Sequence, residues 1–385
     1  MKVYLDNAAT TQVDKEVIEA IGPYLDEKYG NASSLHSFGQ EAKKALENSR
    51  EIIAKKLNAD PKEIIFTSGG TESNNSTIKG VAFANKDKGN HIITTKVEHD
   101  CILNSCKWLE KQGFKVTYLN VDQEGFVKLD ELEKEITKNT ILVSIIHGNN
   151  EIGTINNLDK IGEICKKNNI LFHTDACQSF TKVDIDVKKT NIDLITINSH
   201  KIHGPKGVGA LYIKKGTKID AWQHGGGHEF NKRSGTENIS GIVGFAKAVE
   251  ISNDKDLVQI EELRDYFIKK VEEEIKQIKF NGPRKDRLQN NINFIFRYIE
   301  GEGLLIKLDD EGIMASTGSA CSSTSLEPSH VLIAIGIGAA DAHGSIRFSL
   351  SKYNTKEEID YTVDKLKEKV QELRSISPLW SDENV

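Results

Sequence analysis

Three short segments of this 385-residue chain pair chemically capable residues with the ends of apolar runs. Ser68-Gly69-Gly70-Thr71-Glu72-Ser73-Asn74-Asn75 follows Ile64 to Thr67. Glycines followed by Thr at a helix start can offer backbone N–H groups and a hydroxyl to an anion. The same pattern reads equally as a plain helix cap with a tight turn. His173-Thr174-Asp175-Ala176-Cys177-Gln178 puts an acid at a strand end, where it can hold a proton on a heterocyclic nitrogen. Gln178 can donate to an oxygen on the same ring, whereas an isolated Asp175 reads as a cap. Asn198-Ser199-His200-Lys201-Ile202-His203-Gly204-Pro205 puts a lysine after a buried-looking strand and before a Gly/Pro turn. A desolvated lysine loses its proton readily and can form a Schiff base; the bland alternative is a solvated loop lysine.

The elements that must position these segments alternate between strand and helix. Gln40 to Leu57 has Ala42, Ala45, Leu46, Ile53 and Leu57 near one helical face. Seven compact apolar runs begin at Ile64, His91, Val116, Ile141, Ile170, Leu194 and Ala210, with helical stretches between most of them. This predicts an α/β fold with a mainly parallel seven-stranded sheet flanked by helices. Ligands of such sheets bind at the C-terminal ends of the strands, where all three segments fall. Beyond Gly241 the pattern changes. Ile242 to Ile278 reads as long and mostly helical, followed by strands at Asn291 to Phe296 and Ser345 to Leu350 and a helix from Thr355 to about Leu373. The expected organisation is a large domain over 14–250, with 1–13 and 251–385 forming a smaller α+β domain.

Composition narrows the function further. The chain carries 51 basic against 57 acidic residues, a net charge of −6, which argues against nucleic acid as a partner. No run approaches the ~20 apolar residues of a membrane span. Asp6 and Asn7 stand where the apolar core of a signal peptide would lie. A cytoplasmic protein is expected. The five cysteines are irregularly spaced, without a CxxC pair, which disfavours a disulfide framework or a four-cysteine zinc site. Cys101, Cys106, Cys165 and Cys177 read as packing residues. Cys321 differs: it sits in Ser316-Thr317-Gly318-Ser319-Ala320-Cys321-Ser322-Ser323-Thr324, a run too small and polar to pack a core, which reads as a mobile loop. A thiol has an ordinary pKa of about 8.5 and attacks as the thiolate.

An anion cup, an acid for a ring nitrogen and a lysine for an aldehyde are together what a pyridoxal phosphate site requires. The chain resembles the NifS/IscS-type cysteine desulfurases, fold-type I pyridoxal phosphate enzymes similar to class V aminotransferases. The resemblance runs along nearly the whole chain. It includes Tyr4 to Thr11, Gly30 to His36, Ser68 to Asn75, Glu98-His99, Asn149 to Thr154, the Asp175 and Lys201 segments, Gly225 to Glu229, Arg233 to Thr236, Gly318 to Cys321 and Ser345 to Phe348.

The resemblance implies roles residue by residue. Lys201 would carry the cofactor aldehyde, His99 would stack on the ring and assist proton transfer, and Asp175 would hold the ring nitrogen protonated. Asn150 and Gln178 would contact the ring oxygen or the substrate. Gly70, Thr71, Asn198, Ser199 and His200 would surround the phosphate, and Thr236 would reach the phosphate of a neighbouring subunit in a homodimer. Arg347 would fork onto the carboxylate of L-cysteine. Cys321 would take the sulfur as a persulfide and pass it to an iron–sulfur scaffold or another acceptor protein, leaving alanine. No intrinsic metal is implied. Asn198 stands where relatives often have Ser, Ala32 where they have Pro, Gly148 where a larger residue is common and Cys177 where they more often have Thr. The chain ends soon after Trp380, where housekeeping relatives extend further to dock a scaffold, so that docking mode is not carried over. Selenocysteine lyase, a class V aminotransferase and a non-catalytic sulfur-relay scaffold are the alternatives. Cys321 argues against the aminotransferase, and the intact Lys201, Asp175 and His99 argue against the scaffold.

Overall fold

The computed structural model describes residues 1–317 and 327–380, so Cys321 lies outside the described residues. Strands in chain order are β1 Val3–Tyr4, β2 Ile64–Thr67, β3 His91–Thr95, β4 Lys115–Leu119, β5 Thr140–Ser144, β6 Leu171–Asp175, β7 Leu194–Asn198, β8 Gly209–Ile213, β9 Ile278–Phe280, β10 Asn291–Phe296, β11 Ile313–Met314 and β12 Ser345–Ser349. Seven of them form one sheet in the order β2-β8-β7-β6-β5-β3-β4. Only β8 runs against its neighbours; the other pairings are parallel. Every residue of β5, β7 and β8 is buried, as a sheet covered on both faces demands. The parallel strands end on one edge, which collects the turns after β2, β6 and β7.

The helix Ser37–Leu57 covers one face through Ala42, Leu46, Ile53 and Leu57 and packs on the helix Ile239–Ile251. It starts at His36, whose ring accepts from Gly39 N, and stops at Asn58, which takes φ 56° as a left-handed cap. Its Arg50 is almost wholly buried and makes a two-pronged pair with Glu229, both contacts at 2.8 Å. Glu229 also accepts from Phe66 N of β2 at 2.7 Å, tying the glycine-rich 225–227 turn to the sheet.

The C-terminal part builds its own core. β12, β10 and β9 form an antiparallel sheet, and β1 pairs in parallel with β11. Val3 and Leu5 are buried there with Phe267, Phe294, Phe348 and Leu366. The run expected as one helical stretch from Ile242 is two helices, Ile239–Ile251 and Asp254–Glu274. The break falls at Ser252-Asn253, where Asn253 accepts from Asp256 N at 3.0 Å and starts a new helix.

Candidate active site

The C-terminal edge of the large sheet opens into a cavity of about 250 Å³. Its wall brings together Gly70, Thr71, His99, Asn150, Asp175, Asn198, His200, Lys201 and Arg347, which lie up to 277 positions apart in sequence.

Glycines shape the end of β2. Gly69 takes φ 149°, and a Cβ on Gly70 would lie 2.6 Å from Cys177 Sγ. The helix Gly70–Ala84 therefore starts against the cavity wall with its first N–H groups uncommitted to intrahelical bonds, which suits an anion. Glu72 does not oppose this charge: its carboxylate accepts from Ser68 N and pairs with Arg233 at 2.8 Å.

Asp175 ends β6 and is buried. Oδ1 accepts from Cys177 N at 2.9 Å and Oδ2 from Asn74 Nδ2 at 2.6 Å. Each oxygen retains lone-pair capacity for a ring N–H. His99 caps the helix Asp100–Lys111 by accepting from Cys101 N at 3.2 Å. Burial lowers its basicity, with Asp175 opposing, so the flat ring stays neutral.

Lys201 follows β7 in a turn where Ser199 O accepts from Ile202 N and Gly204 N. The N-terminal segment braces this turn: Thr11 bonds His200 O through both its N–H and its hydroxyl, at 2.9 and 2.8 Å. Burial and the neighbouring lysines hold the His200 ring near a pKa of about 4, so it is a neutral donor or acceptor.

Arg347 on β12 is buried, with Nη2 2.9 Å from Asp6 Oδ1 and Nη1 donating to Asn150 O at 3.1 Å. Its Nε has no partner among the described residues. A guanidinium with donors in reserve at a cavity wall suits a carboxylate.

Three expected residues do not line this cavity. Gln178 is buried beside it, donating to Ala8 O at 2.9 Å, and Ser199 is buried under Gly204. Thr236 is exposed. The reading of the cysteines divides. Cys106 and Cys165 are core residues, but Cys101 and Cys177 line the cavity rather than merely pack. Cys101 Sγ lies 3.1 Å from both Asn74 Nδ2 and His99 Nδ1. Burial and Asp175 push its thiol up to about 12, so it stays protonated. Asn74 and Asp6 were also missed as site residues. Asn74 follows Gly70 by four, one helical turn, which places both on one face.

The residues present fit pyridoxal phosphate. The cup at Gly70 and Thr71 suits a phosphate, and Asp175 suits a protonated ring nitrogen. The buried Asn198, whose Oδ1 has no partner among the described residues, adds an unused polar group, and Lys201 brings an amine to the same wall.

A family model described as aminotransferase class V matches residues 3–362. The cysteine desulfurase IscS of Dictyoglomus turgidum is 57% identical over 380 residues, covering 98% of this chain and 96% of that protein. The cysteine desulfurase IscS of Methanosarcina thermophila is 52% identical over 388 residues, covering 99% and 95%. A solved NifS-like protein matches with a TM-score of 0.91 at 42% identity, covering 97% of this chain and all of that one. SspA in complex with cysteine matches at 0.83 and 39%, covering 92% of this chain and all of that one.

Proposed function

This chain belongs to the class V aminotransferase family, and from that premise we propose that it is a cysteine desulfurase that takes the sulfur of L-cysteine and releases alanine. The observation that carries the reading is the convergence of Lys201, Asp175, His99 and Arg347 on one cavity. Relatives named cysteine desulfurase at 57% and 52% identity over nearly the full chain support it.

When bound, pyridoxal phosphate supplies an electron sink that makes the substrate Cα–H acidic and the Cβ–S bond labile. The chain's residues do the rest. Lys201 would hold the cofactor aldehyde, yield it to the substrate amine, and then move the Cα proton on its freed Nζ. Asp175 would keep the ring nitrogen protonated, and His99, neutral through burial, would stack on the ring. Gly70, Thr71, Asn198 and His200 would hold the phosphate and Asn150 would serve the ring oxygen or the substrate, while Ser199 and Gln178, expected in the same roles, would back the wall from behind. Arg347 would receive the substrate carboxylate. Cys321 would attack the substrate sulfur as a thiolate: the S–S bond forms, the Cβ–S bond breaks, and the bonding pair returns to the carbon skeleton that leaves as alanine. Sequence alone supports that last assignment.

The proposed assembly is a homodimer in which Thr236 reaches the phosphate held by the neighbouring subunit. Its exposure, and a lining of its own cavity that does not include it, support that role. The proposed acceptor is an iron–sulfur scaffold or another sulfur-accepting protein. The proposed compartment is the cytoplasm, supported by the four free thiols at Cys101, Cys106, Cys165 and Cys177.

The test is to incubate protein loaded with pyridoxal phosphate with L-cysteine and to measure alanine and protein-bound persulfide together. Alanine with persulfide on Cys321 is expected; pyruvate in place of alanine, or no persulfide, overturns the reading.

A further inference from the structure

Lys201 lines two cavities. One is the candidate active site; the other is a smaller space of about 60 Å³ on its far side, between the two hydrophobic cores. That second space is walled by apolar groups such as Ile251, Leu257 and Leu350, yet three buried polar atoms on residues that line it have no partner among the described residues: Lys182 Nζ, Gln289 Oε1 and Asn290 Oδ1. An unpaired buried cation and two unpaired buried acceptors are costly unless something connects them. Scaled against the ~10–15 Å³ that one water occupies on this measure, the cavity has room for a few.

We propose that this cavity holds an ordered water cluster between Lys182 and Lys201, and that Lys182 is a positioning residue that sets the charge of Lys201 from behind the active site. This rests on Lys201 being the cofactor lysine.

Across the active-site cavity Lys201 also faces Asp175, Asp6, His99, His200 and Arg347, which every variant below keeps; on the other side the charge that can be altered is Lys182. Asp14 is committed to Lys352 at 2.7 Å and to the Tyr353 hydroxyl, and Asp256 lies 3.9 Å from the same Lys352. His203 is tied through Nδ1 to Gln12 O at 2.9 Å, and burial lowers its basicity. Among the described residues no carboxylate pairs with Lys182. Burial, with Lys201 adding to it, brings its ammonium down to about 7. The backbone carries strain at the same place: Thr181 and His203, both lining this cavity, take φ of 65°, a region that non-glycine residues rarely enter and that a β-branched threonine enters at most cost. A positive charge at position 182 disfavours a second one at Lys201, so it lowers the pH at which the lysine–cofactor chromophore loses its proton.

Two measurements test this. In a crystal structure of the holoenzyme that resolves solvent, water is expected in contact with Lys182 Nζ and with Gln289 or Asn290; a dry cavity overturns the proposal. In absorbance titrations of the holoenzyme, Lys182→Met should raise the midpoint and Lys182→Arg should lower it, each by on the order of one pH unit. A purely structural role would not move the two in opposite directions, so midpoints that stay put or shift together overturn the proposal. If Lys182→Met does not fold, Lys182→Arg against wild type decides the same question: a lowered midpoint supports the proposal and an unmoved or raised one overturns it. Failure here is distinct from failure of the functional reading: the latter shows as a wild-type protein that takes up no coloured cofactor, or a Lys201→Ala protein that still does.

Discussion

Asp6 Oδ1 sits 2.9 Å from Arg347 Nη2, so the guanidinium proposed to grip the substrate carboxylate is already shared with a carboxylate of the chain itself. Burial raises the Asp6 carboxyl above its ordinary range against the pull of Arg347. Asp6→Asn should therefore leave Arg347 with an uncompensated positive charge. KM for L-cysteine is expected to fall while kcat changes little, and the melting temperature to drop. A raised KM would show that Asp6 aims the guanidinium rather than competes for it. Arg347→Ala should cost roughly 2–5 kcal/mol in kcat/KM, the range for losing one partner of a buried charged pair.

Asp175→Asn keeps the shape of the site but can accept from only one of the two donors, Cys177 N and Asn74 Nδ2, and removes the charge that would hold a proton on the ring. The kcat is expected to fall by about 10²–10⁴-fold, the usual span for a lost acid–base contribution. Cofactor retention, followed by colour after gel filtration, should be largely kept. A variant with near wild-type kcat would remove Asp175 from its role.

Cys321→Ala should remain coloured and bind L-cysteine, yet form no protein-bound persulfide and release no sulfide with dithiothreitol. Lys201→Ala should be colourless after dialysis. Unchanged turnover in the first, or retained colour in the second, would reassign the nucleophile or the lysine.

Glu98 is buried, with Oε1 accepting from the Thr95 hydroxyl at 2.7 Å and Ile146 N at 2.9 Å, and with Oε2 unpartnered. Burial pushes its carboxyl up to about 8. A raised acid favours the folded state when protonated, so its stabilisation is complete below the ordinary value of 4.5 and is lost as pH rises through about 8. Glu98→Gln keeps the carbonyl acceptor without the charge. Urea midpoints should fall between pH 5 and 8 in wild type and stay flatter in the variant, which should be the more stable of the two at pH 8 by on the order of a few kcal/mol. Parallel pH profiles would refute the burial argument.

The buried Arg50–Glu229 pair yields a stability prediction. Glu229→Gln should cost roughly 3–5 kcal/mol, because Arg50 keeps its charge in a dry site. The double variant Arg50→Met/Glu229→Met removes both charges and should recover much of that loss. Chemical denaturation of the three proteins checks the ordering.

Period and punctuation made much of this fold readable in advance. The strand that starts at Ile64 opens with three apolar residues and is followed after Ser68 by a glycine pair, so its position and its turn were both visible; Leu194 to Ile197, before Asn198 to Lys201, showed as a compact β-rich run in the same way. The reversed direction of β8 was not visible, because a fully buried strand has the same composition whichever way it runs. The break at Ser252-Asn253 was lost in a long helical pattern, since one capping asparagine barely alters periodicity. Within the site, residues carried by motifs were found, whereas Asp6 and Cys101 were not. Their roles come from what lies across the cavity, at Arg347 and Asn74, and no local spacing encodes such distant partners.

The stretch from Asp6 to Thr11 touches Arg347, Ser349, Gln178 and His200, so one short segment is stitched to residues up to 341 positions later. Ala8 N waits for Ser349 Oγ across 341 positions of sequence. A chain still on the ribosome would carry the proposed cofactor lysine and the proposed ring-holding acid well before the arginine proposed to grip the substrate. On the proposed roles, desulfuration would wait until Arg347 is made and has closed against Asp6.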